Sequence, residues 1–131
     1  MSFFQIEQKF SAEQSTLVNR AFRTLQDPLQ RAVYLLELRG ETIDESDSHS
    51  DTDFLMQILQ LNEELADIDT AQDFHNFVAK NDATLDEIQS QLTTAFDVDN
   101  DVMRAKSLIV KMKYYSNLKE KLKDMGHLYI Q

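Results

Sequence analysis

Three aspartates at alternate positions are the first residues whose spacing could support chemistry. Asp97, Asp99 and Asp101 follow the order in which carboxylates open the calcium-binding loop of an EF-hand. The pattern fails further along, because Val102 stands where the loop needs glycine and Leu108 stands where it needs a bidentate glutamate. The segment is therefore interpreted as a turn between helices and not as a calcium site.

No other set of residues forms a recognisable catalytic or metal-binding pattern. His49, His75 and His127 are spread over a linker, a helix and the C-terminal tail, and each is more typical of a solvated or half-buried side chain than of a ligand. Cysteine is absent, which excludes disulfides and thiolate ligands. Neither the paired Glu-x-x-His motifs of a di-iron bundle nor a glycine-rich phosphate loop nor a nucleophile elbow occurs. We therefore predict no catalytic residue, no metal site and no cofactor, and interpret the protein as not an enzyme.

The composition predicts an all-α fold. The 131 residues include two glycines and one proline, and long segments rich in helix formers separate them. This length allows one domain or two very small ones. No apolar run approaches the roughly 18 residues needed to cross a bilayer, so no membrane association is expected.

Charge is distributed unevenly along the chain. The net charge is −10, and residues 41–101 contain 17 acidic side chains and one basic side chain, Lys80. An acidic surface of this kind disfavours binding to a phosphate backbone, so nucleic acid is not an expected partner. Residues 103–131 are rich in lysine and arginine. They could meet an acidic partner, although they more simply complement the acidic helices of the same bundle.

Residues 51–68 predict a helix with two apolar faces where a packed helix needs one. A core face follows a three-four spacing and contains Phe54, Ile58, Leu61, Leu65 and Ile68. Leu55 starts beside this face, whereas Met56 and Leu59 lie further round the helix, on the same side as Gln60 and Glu63. An apolar patch rimmed by a carboxylate is typical of a partner-binding surface, and coverage by a neighbouring segment of the chain is the alternative.

Capping signals and apolar periodicity predict four further helices. The first is expected over residues 11–26 with Ser11 as its N-cap, and the second from Pro28 to about residue 39, before Gly40. An acidic linker over residues 41–50 leads to the helix that begins near residue 51. The last two helices are expected at about residues 71–96 and 102–125, and Tyr114 lies at the edge of the core stripe of the last one. Three long helices joined by short turns predict an antiparallel three-helix bundle.

Three motifs resemble the HscB-type co-chaperone family of iron–sulfur cluster biogenesis. STLVNRAFRTLQDPLQRAVYLLELRG at residues 15–40 is similar to the third helix of a J-domain and the segment that follows it. DTDFLMQILQLNEEL at residues 51–65 is similar to the opening of the family's C-terminal three-helix domain, and KMKYYSNLKEKL at residues 111–122 to its last helix. The resemblance implies a co-chaperone that brings an IscU-type scaffold protein to a DnaK/HscA-type chaperone and stimulates ATP hydrolysis.

The resemblance also implies which residues would contact the scaffold. The family's apolar contact positions match Leu55, Met56, Leu59 and Tyr114, and its polar contact positions match Gln60 and Glu63. Gln60 departs from the acidic residue often found there. Helical periodicity had already separated these residues from the core, so the two arguments agree independently.

The sequence departs from the family at its N-terminus. The J-domain loop with the sequence His-Pro-Asp, which contacts the ATPase chaperone, is absent. We therefore expect residues 1–40 to be a J-domain remnant without its first two helices, residues 41–50 to be a linker, and residues 51–126 to be the scaffold-binding domain. Stimulation of a chaperone ATPase by the usual route is not expected, and the apolar faces of residues 17–25 and 29–36 should be exposed.

Two alternatives to scaffold binding stay open at this point. The same apolar patch could make a homo-oligomer in a helical structural module, or the protein could be a small helical metal-binding or catalytic protein. The resemblance implies a mitochondrial matrix location for a eukaryotic member and a cytoplasmic one otherwise.

Overall fold

Helices begin where a side chain can cap the free backbone N–H groups of the first turn. The Asp27 carboxylate accepts hydrogen bonds from the N–H groups of Leu29 and Gln30, and Pro28 occupies the first helical position. The Asp51 carboxylate accepts from the N–H of Phe54 at 3.0 Å, and the Asp101 carboxylate starts the last helix in the same way. These aspartates therefore set three of the helix starts.

The computed structural model describes residues 2–44, 47 and 51–129, and within them it contains five α-helices and no β-strand. The helices are α1 (Phe3–Gln26), α2 (Pro28–Leu38), α3 (Thr52–Ala66), α4 (Ala71–Thr93) and α5 (Val102–Met125). A π-helical turn (Thr94–Val98) continues α4, and a short 3₁₀ turn (Gly126–Leu128) follows α5. The all-α fold predicted from composition is confirmed.

Helices α4 and α5 form a long antiparallel pair. The Asn81 side chain, which is buried near the middle of α4, donates a hydrogen bond to the carbonyl of Tyr115 at 3.2 Å. Helix α3 lies beside the second half of α5, where the Lys121 ammonium donates to the Asn62 side chain at 2.8 Å. The three long helices therefore form the predicted antiparallel bundle, in which α3 and α5 run in the same direction.

Two apolar clusters fill the interior, one at each end of the α4–α5 pair. The first joins α2 to the end of α4 and the start of α5, and its buried members are Ala32, Leu36, Ile88, Leu92, Ala95, Phe96, Ala105, Leu108, Ile109 and Met112. The second joins α3 to the start of α4 and the end of α5, and its buried members are Phe54, Ile58, Leu65, Phe74, Leu118 and Leu122. Helices α2 and α3 thus cover successive stretches of the same helix pair.

The expected exposure of the first two helices is correct for α1 and wrong for α2. Helix α1 buries none of its residues, and its apolar side chains are open to solvent. Helix α2 instead packs Ala32 and Leu36 into the first cluster, and the Arg39 guanidinium, 4.8 Å from the centre of the Phe96 ring, donates to the Phe96 carbonyl. A helix that is apolar on most sides requires cover from more than one neighbour, and α4 and α5 supply it.

Predicted boundaries differ from the structure at the start of α1 and at the end of α4. Helix α1 begins at Phe3, because Ser2 and Gln5 form a complete capping box and Ser11 lies inside the helix. The regular part of the helix predicted over residues 71–96 ends at Thr93, and the π-helical turn continues the helix to Val98. Gly126 has a right-handed conformation and starts a 3₁₀ turn, whereas Gly40 has the left-handed φ of 78° that a helix C-terminus favours.

The described part of the acidic linker is held against α5. The Lys106 ammonium lies 3.7 Å from the Glu41 carboxylate and 3.4 Å from the Asp47 carboxylate. Residues 45–46 and 48–50, which include His49, lie outside the described residues. The described linker residues Glu41 and Asp47 therefore contact α5 through Lys106.

Candidate partner-binding surface

Helix α3 has a buried face and an exposed apolar face. Phe54, Ile58 and Leu65 are buried in the second cluster. Met56 is 64% exposed and Leu59 is 61% exposed, and their separation of three residues places them next to each other on the opposite side. In this structure no other segment of the described chain covers them, so the alternative in which a neighbouring segment hides this face is not realised.

The remaining α3 residues of the predicted site surround these two side chains. Leu55 is half-buried at the edge of the core, one helical turn before Leu59. Gln60 and Glu63 are exposed, one turn beyond Met56 and Leu59 respectively. The helix thus presents an apolar centre with an amide and a carboxylate along one edge.

Tyr114 of α5 reaches α3 at Phe54, on the core side of the helix. Its ring is half-buried and makes an edge-to-face contact with the Phe54 ring, with 5.6 Å between the centroids. Phe54 directly precedes Leu55, so the contact holds Tyr114 beside the N-terminal half of α3. We define the α3 surface as Leu55, Met56, Leu59, Gln60, Glu63 and Tyr114.

Periodicity did not single out a cation that borders the α3 surface. The Lys111 ammonium lies 5.6 Å from the centroid of the Phe54 ring, a cation–π distance. Lys111 precedes Tyr114 by three residues and so shares a face of α5 with it, which is the only signal the sequence offered. The contact places a positive charge near the start of α3, while Glu63 places a negative one further along.

The arrangement suits recognition of another macromolecule by an apolar surface with a polar rim. Among the described residues no group of three or more histidine, aspartate or glutamate side chains is placed to hold a metal ion. His75 stacks edge-on against Phe74, and the ring of His127 contacts the Asp124 carbonyl, so neither points toward the α3 surface. Within residues 2–44, 47 and 51–129 no helix is long and apolar enough to span a membrane.

The partly buried phenol of Tyr115 should make the free energy of unfolding sensitive to alkaline pH. Tyr115 packs against Phe54, with 6.2 Å between the ring centroids, and burial raises the pKa of its phenol above the ordinary value of 10.0. The folded state therefore holds this proton more tightly than the unfolded state. The contribution of the protonated phenol to the free energy of unfolding is complete below pH 10 and is lost as the pH rises through the pKa of the folded state.

Replacing Tyr115 with phenylalanine should remove this sensitivity. We expect the loss of unfolding free energy between pH 9 and 11 to be smaller in Tyr115→Phe than in the native chain, as measured by urea unfolding at each pH. Tyr34→Phe is the control, since Tyr34 is 43% exposed and belongs to neither cluster. Equal alkaline losses in the native chain and Tyr115→Phe would contradict this account.

A family model described as the HSCB C-terminal oligomerisation domain matches residues 50–123 of the chain. The chain belongs to the HscB family. The matched segment contains α3, α4 and most of α5, and therefore every residue of the α3 surface. Helices α1 and α2 precede the matched segment.

Individual members of the HscB family resemble most of this chain. The iron–sulfur cluster co-chaperone protein HscB of Mus musculus is 42% identical over 120 residues, which cover 91% of this chain and 51% of that protein. The mitochondrial J-type co-chaperone JAC1 of Saccharomyces cerevisiae is 31% identical, covering 86% of this chain and 64% of that protein. The crystal structure of human co-chaperone protein HscB superposes with a TM-score of 0.84 at 38% identity, covering 91% of this chain and 60% of that one.

The chain spans about half the length of the mammalian HscB proteins it matches. The human structure, which covers 91% of this chain, has the same fold over the shared part. The resemblance to the HscB family that the motifs implied is therefore confirmed.

Proposed function

We propose that this chain acts in iron–sulfur cluster assembly as a co-chaperone-like protein that binds an IscU-type scaffold through the α3 surface. The observation that carries the proposal is the exposure of Met56 and Leu59 on a helix whose opposite face is fully used in the core. Exposed apolar side chains grouped on one rigid helix are typical of a binding site. Membership of the HscB family supplies the class of partner.

Each residue has a proposed role that follows from its position. Met56 and Leu59 would enter apolar pockets of the scaffold, and Leu55 and Tyr114 would complete the apolar centre beside them. Gln60 and Glu63 would form the polar rim and fix the orientation of the scaffold. Tyr114 is held by its ring contact with Phe54 and so loses little freedom on binding.

We extend the proposal to a DnaK/HscA-type chaperone only as a partner of the scaffold complex. The compartment we propose is the mitochondrial matrix for a eukaryotic source and the cytoplasm for a bacterial one, because the related yeast protein is named mitochondrial.

Calorimetric titration with an IscU-type scaffold tests the proposal. We expect saturable binding by the native chain and a roughly 100-fold or greater loss of affinity in Leu55→Ala/Met56→Ala/Leu59→Ala, since truncated apolar anchors commonly cost roughly 1–4 kcal/mol each. A Met56→Ala/Leu59→Ala variant separates binding from stability, because both of its side chains are exposed.

The matched control truncates exposed apolar residues elsewhere. Val98, Met103 and Leu128 are 64–75% exposed and lie outside α3, so Val98→Ala/Met103→Ala/Leu128→Ala should bind the scaffold like the native chain. Equal losses in the two triple variants would contradict a site on α3. Absence of binding by the folded native chain would remove the proposal altogether.

Self-association through the α3 surface is the second candidate, favoured by the description of the matched family model as an oligomerisation domain. In that case Met56 and Leu59 would pack against the same residues of a second copy. Sedimentation of Met56→Ala/Leu59→Ala discriminates the two functions. A dimer that this variant loses favours self-association, and an oligomeric state that it leaves unchanged favours scaffold binding.

A further inference from the structure

The lysines of α5 differ in whether the fold neutralises them. Lys106 is paired with two carboxylates of the linker, and the Lys119 ammonium lies 3.5 Å from the Asp82 carboxylate. Lys111 and Lys121 form no ion pair within the described part of the chain. Complementing the acidic helices of the same bundle therefore accounts for some of the positive charge of α5 and leaves the charge of these two lysines unmatched.

Both unmatched lysines lie against α3 and contact uncharged groups there. The Lys111 ammonium lies 5.6 Å from the centroid of the Phe54 ring, and the Lys121 ammonium donates to the side-chain oxygen of Asn62 at 2.8 Å. An ammonium carries three donor hydrogens, of which Asn62 accepts one, and neither an aromatic ring nor an amide cancels a full charge. The two lysines thus form two cationic points along the edge between α3 and α5, about 15 Å apart along α5.

This edge borders the apolar part of the α3 surface. On α3, Asn62 follows Leu55 by seven residues, so the two share the edge of the helix that Lys121 contacts. On α5, Tyr114 follows Lys111 by three residues and precedes Lys121 by seven, which places the three on one side of that helix. The apolar side chains proposed for scaffold binding therefore have a basic border on the α5 side.

The opposite border of the α3 surface is acidic. Glu63 is exposed one turn beyond Leu59, further round α3 from the edge that Lys121 contacts. Complementary charges across an interface speed the encounter of two proteins and fix their orientation, and like charges placed together oppose binding. The two borders therefore favour a partner whose acidic side faces α5.

We infer that the segment of the partner lying along the edge between α3 and α5 is acidic and pairs its carboxylates with Lys111 and Lys121. The inference rests on the proposed binding of an IscU-type scaffold through the α3 surface, and it names the chemistry of the segment that binds. Met56 and Leu59 supply the apolar contact, while the two lysines set the rate of encounter and the orientation. The binding site thereby extends from α3 onto α5.

Association kinetics of the full 131-residue chain with an IscU-type scaffold test the inference. At about 0.1 M salt, where the Debye length is about 10 Å, we expect Lys111→Glu/Lys121→Glu to bind roughly ten-fold more weakly than the native chain, chiefly through slower association. The matched control, Lys113→Glu/Lys123→Glu, makes the same change of charge at exposed positions on other sides of α5. It should bind within about three-fold of the native chain, because its charges lie away from the interface.

Two further measurements distinguish a change of charge from a defect in folding. Lys111→Arg/Lys121→Arg keeps both positive charges and should bind within about three-fold of the native chain. At about 1 M salt, where the Debye length falls to about 3 Å, the affinities of the native chain and of Lys111→Glu/Lys121→Glu should converge. Thermal unfolding of each variant checks that the bundle is intact.

Failure of the inference can be told from failure of the proposed function. If Met56→Ala/Leu59→Ala weakens binding while both charge-reversal variants bind equally well, the acidic segment is overturned and scaffold binding stands. Tighter binding by Lys111→Glu/Lys121→Glu than by the native chain would also overturn the acidic segment, because it would mean that the scaffold presents a basic one. Absence of binding by the native chain would overturn both proposals.

Discussion

Leu36→Ala is expected to lower the free energy of unfolding by about 2–5 kcal/mol, because it leaves a cavity in a fully closed part of the core. The Leu36 side chain has no exposed surface, and it lies in the cluster that joins α2 to α4 and α5. Leu36 belongs to residues 1–40, which the sequence separates from the three-helix domain of residues 51–126. In the structure Leu36 packs in one interior with residues of α4 and of α5, the helix that carries Tyr114.

A matched substitution two residues away isolates this effect. Leu38 lies on the same helix and is 65% exposed, so Leu38→Ala should change stability by less than about 0.5 kcal/mol. Urea unfolding followed by circular dichroism measures both variants. Similar small losses in the two would contradict the shared core, and would mean that α2 packs independently of the three-helix bundle.

Phe54→Ala is expected to cost about 3–5 kcal/mol and to weaken scaffold binding as well. The Phe54 ring is buried, makes a T-shaped contact with the Tyr114 ring and lies under the Lys111 ammonium. Its removal leaves a cavity under the first turn of α3 and frees Tyr114 from the position proposed for it in scaffold binding. Stability and binding should therefore fall together at this residue.

Met56→Ala should separate the two effects. Because Met56 is exposed, its truncation should leave the unfolding free energy within about 0.5 kcal/mol of the native value while it weakens binding. Urea unfolding and calorimetric titration of both variants provide the comparison. A Met56→Ala variant as unstable as Phe54→Ala would show that the methionine is covered in solution and would contradict an open α3 surface.

Much of the bundle was predictable because its helices carry strong local signals. Asp101 and Gly126 bracket α5, whose bounds in the structure are those predicted. The three-four spacing correctly separated buried Phe54 and Ile58 from exposed Met56 and Leu59. These features depend on the capping and periodicity of single helices, which a sequence displays directly.

The same signals were ambiguous at one helix start and did not indicate which helices meet. The start of α1 was missed because Ser2 with Gln5 and Ser11 with Gln14 present the same capping pattern. The burial of Leu36 against α4 and α5 and the position of Lys111 over the Phe54 ring each require knowledge of which helices meet. Periodicity identifies the face of a helix that is covered but does not identify the helix that covers it.

Methyl NMR of the methionines tests the central claim most directly, because it needs no mutation. The chain has five methionines, of which Met56 lies in the α3 surface, Met103 is exposed elsewhere and Met112 is buried in the first cluster. On addition of an unlabelled IscU-type scaffold to the ¹³C-methyl-labelled chain, the Met56 resonance should shift or broaden to saturation while those of Met103 and Met112 stay in place. A scaffold that binds and perturbs Met103 but leaves Met56 unchanged, or one that perturbs no methionine at all, would contradict binding through the α3 surface.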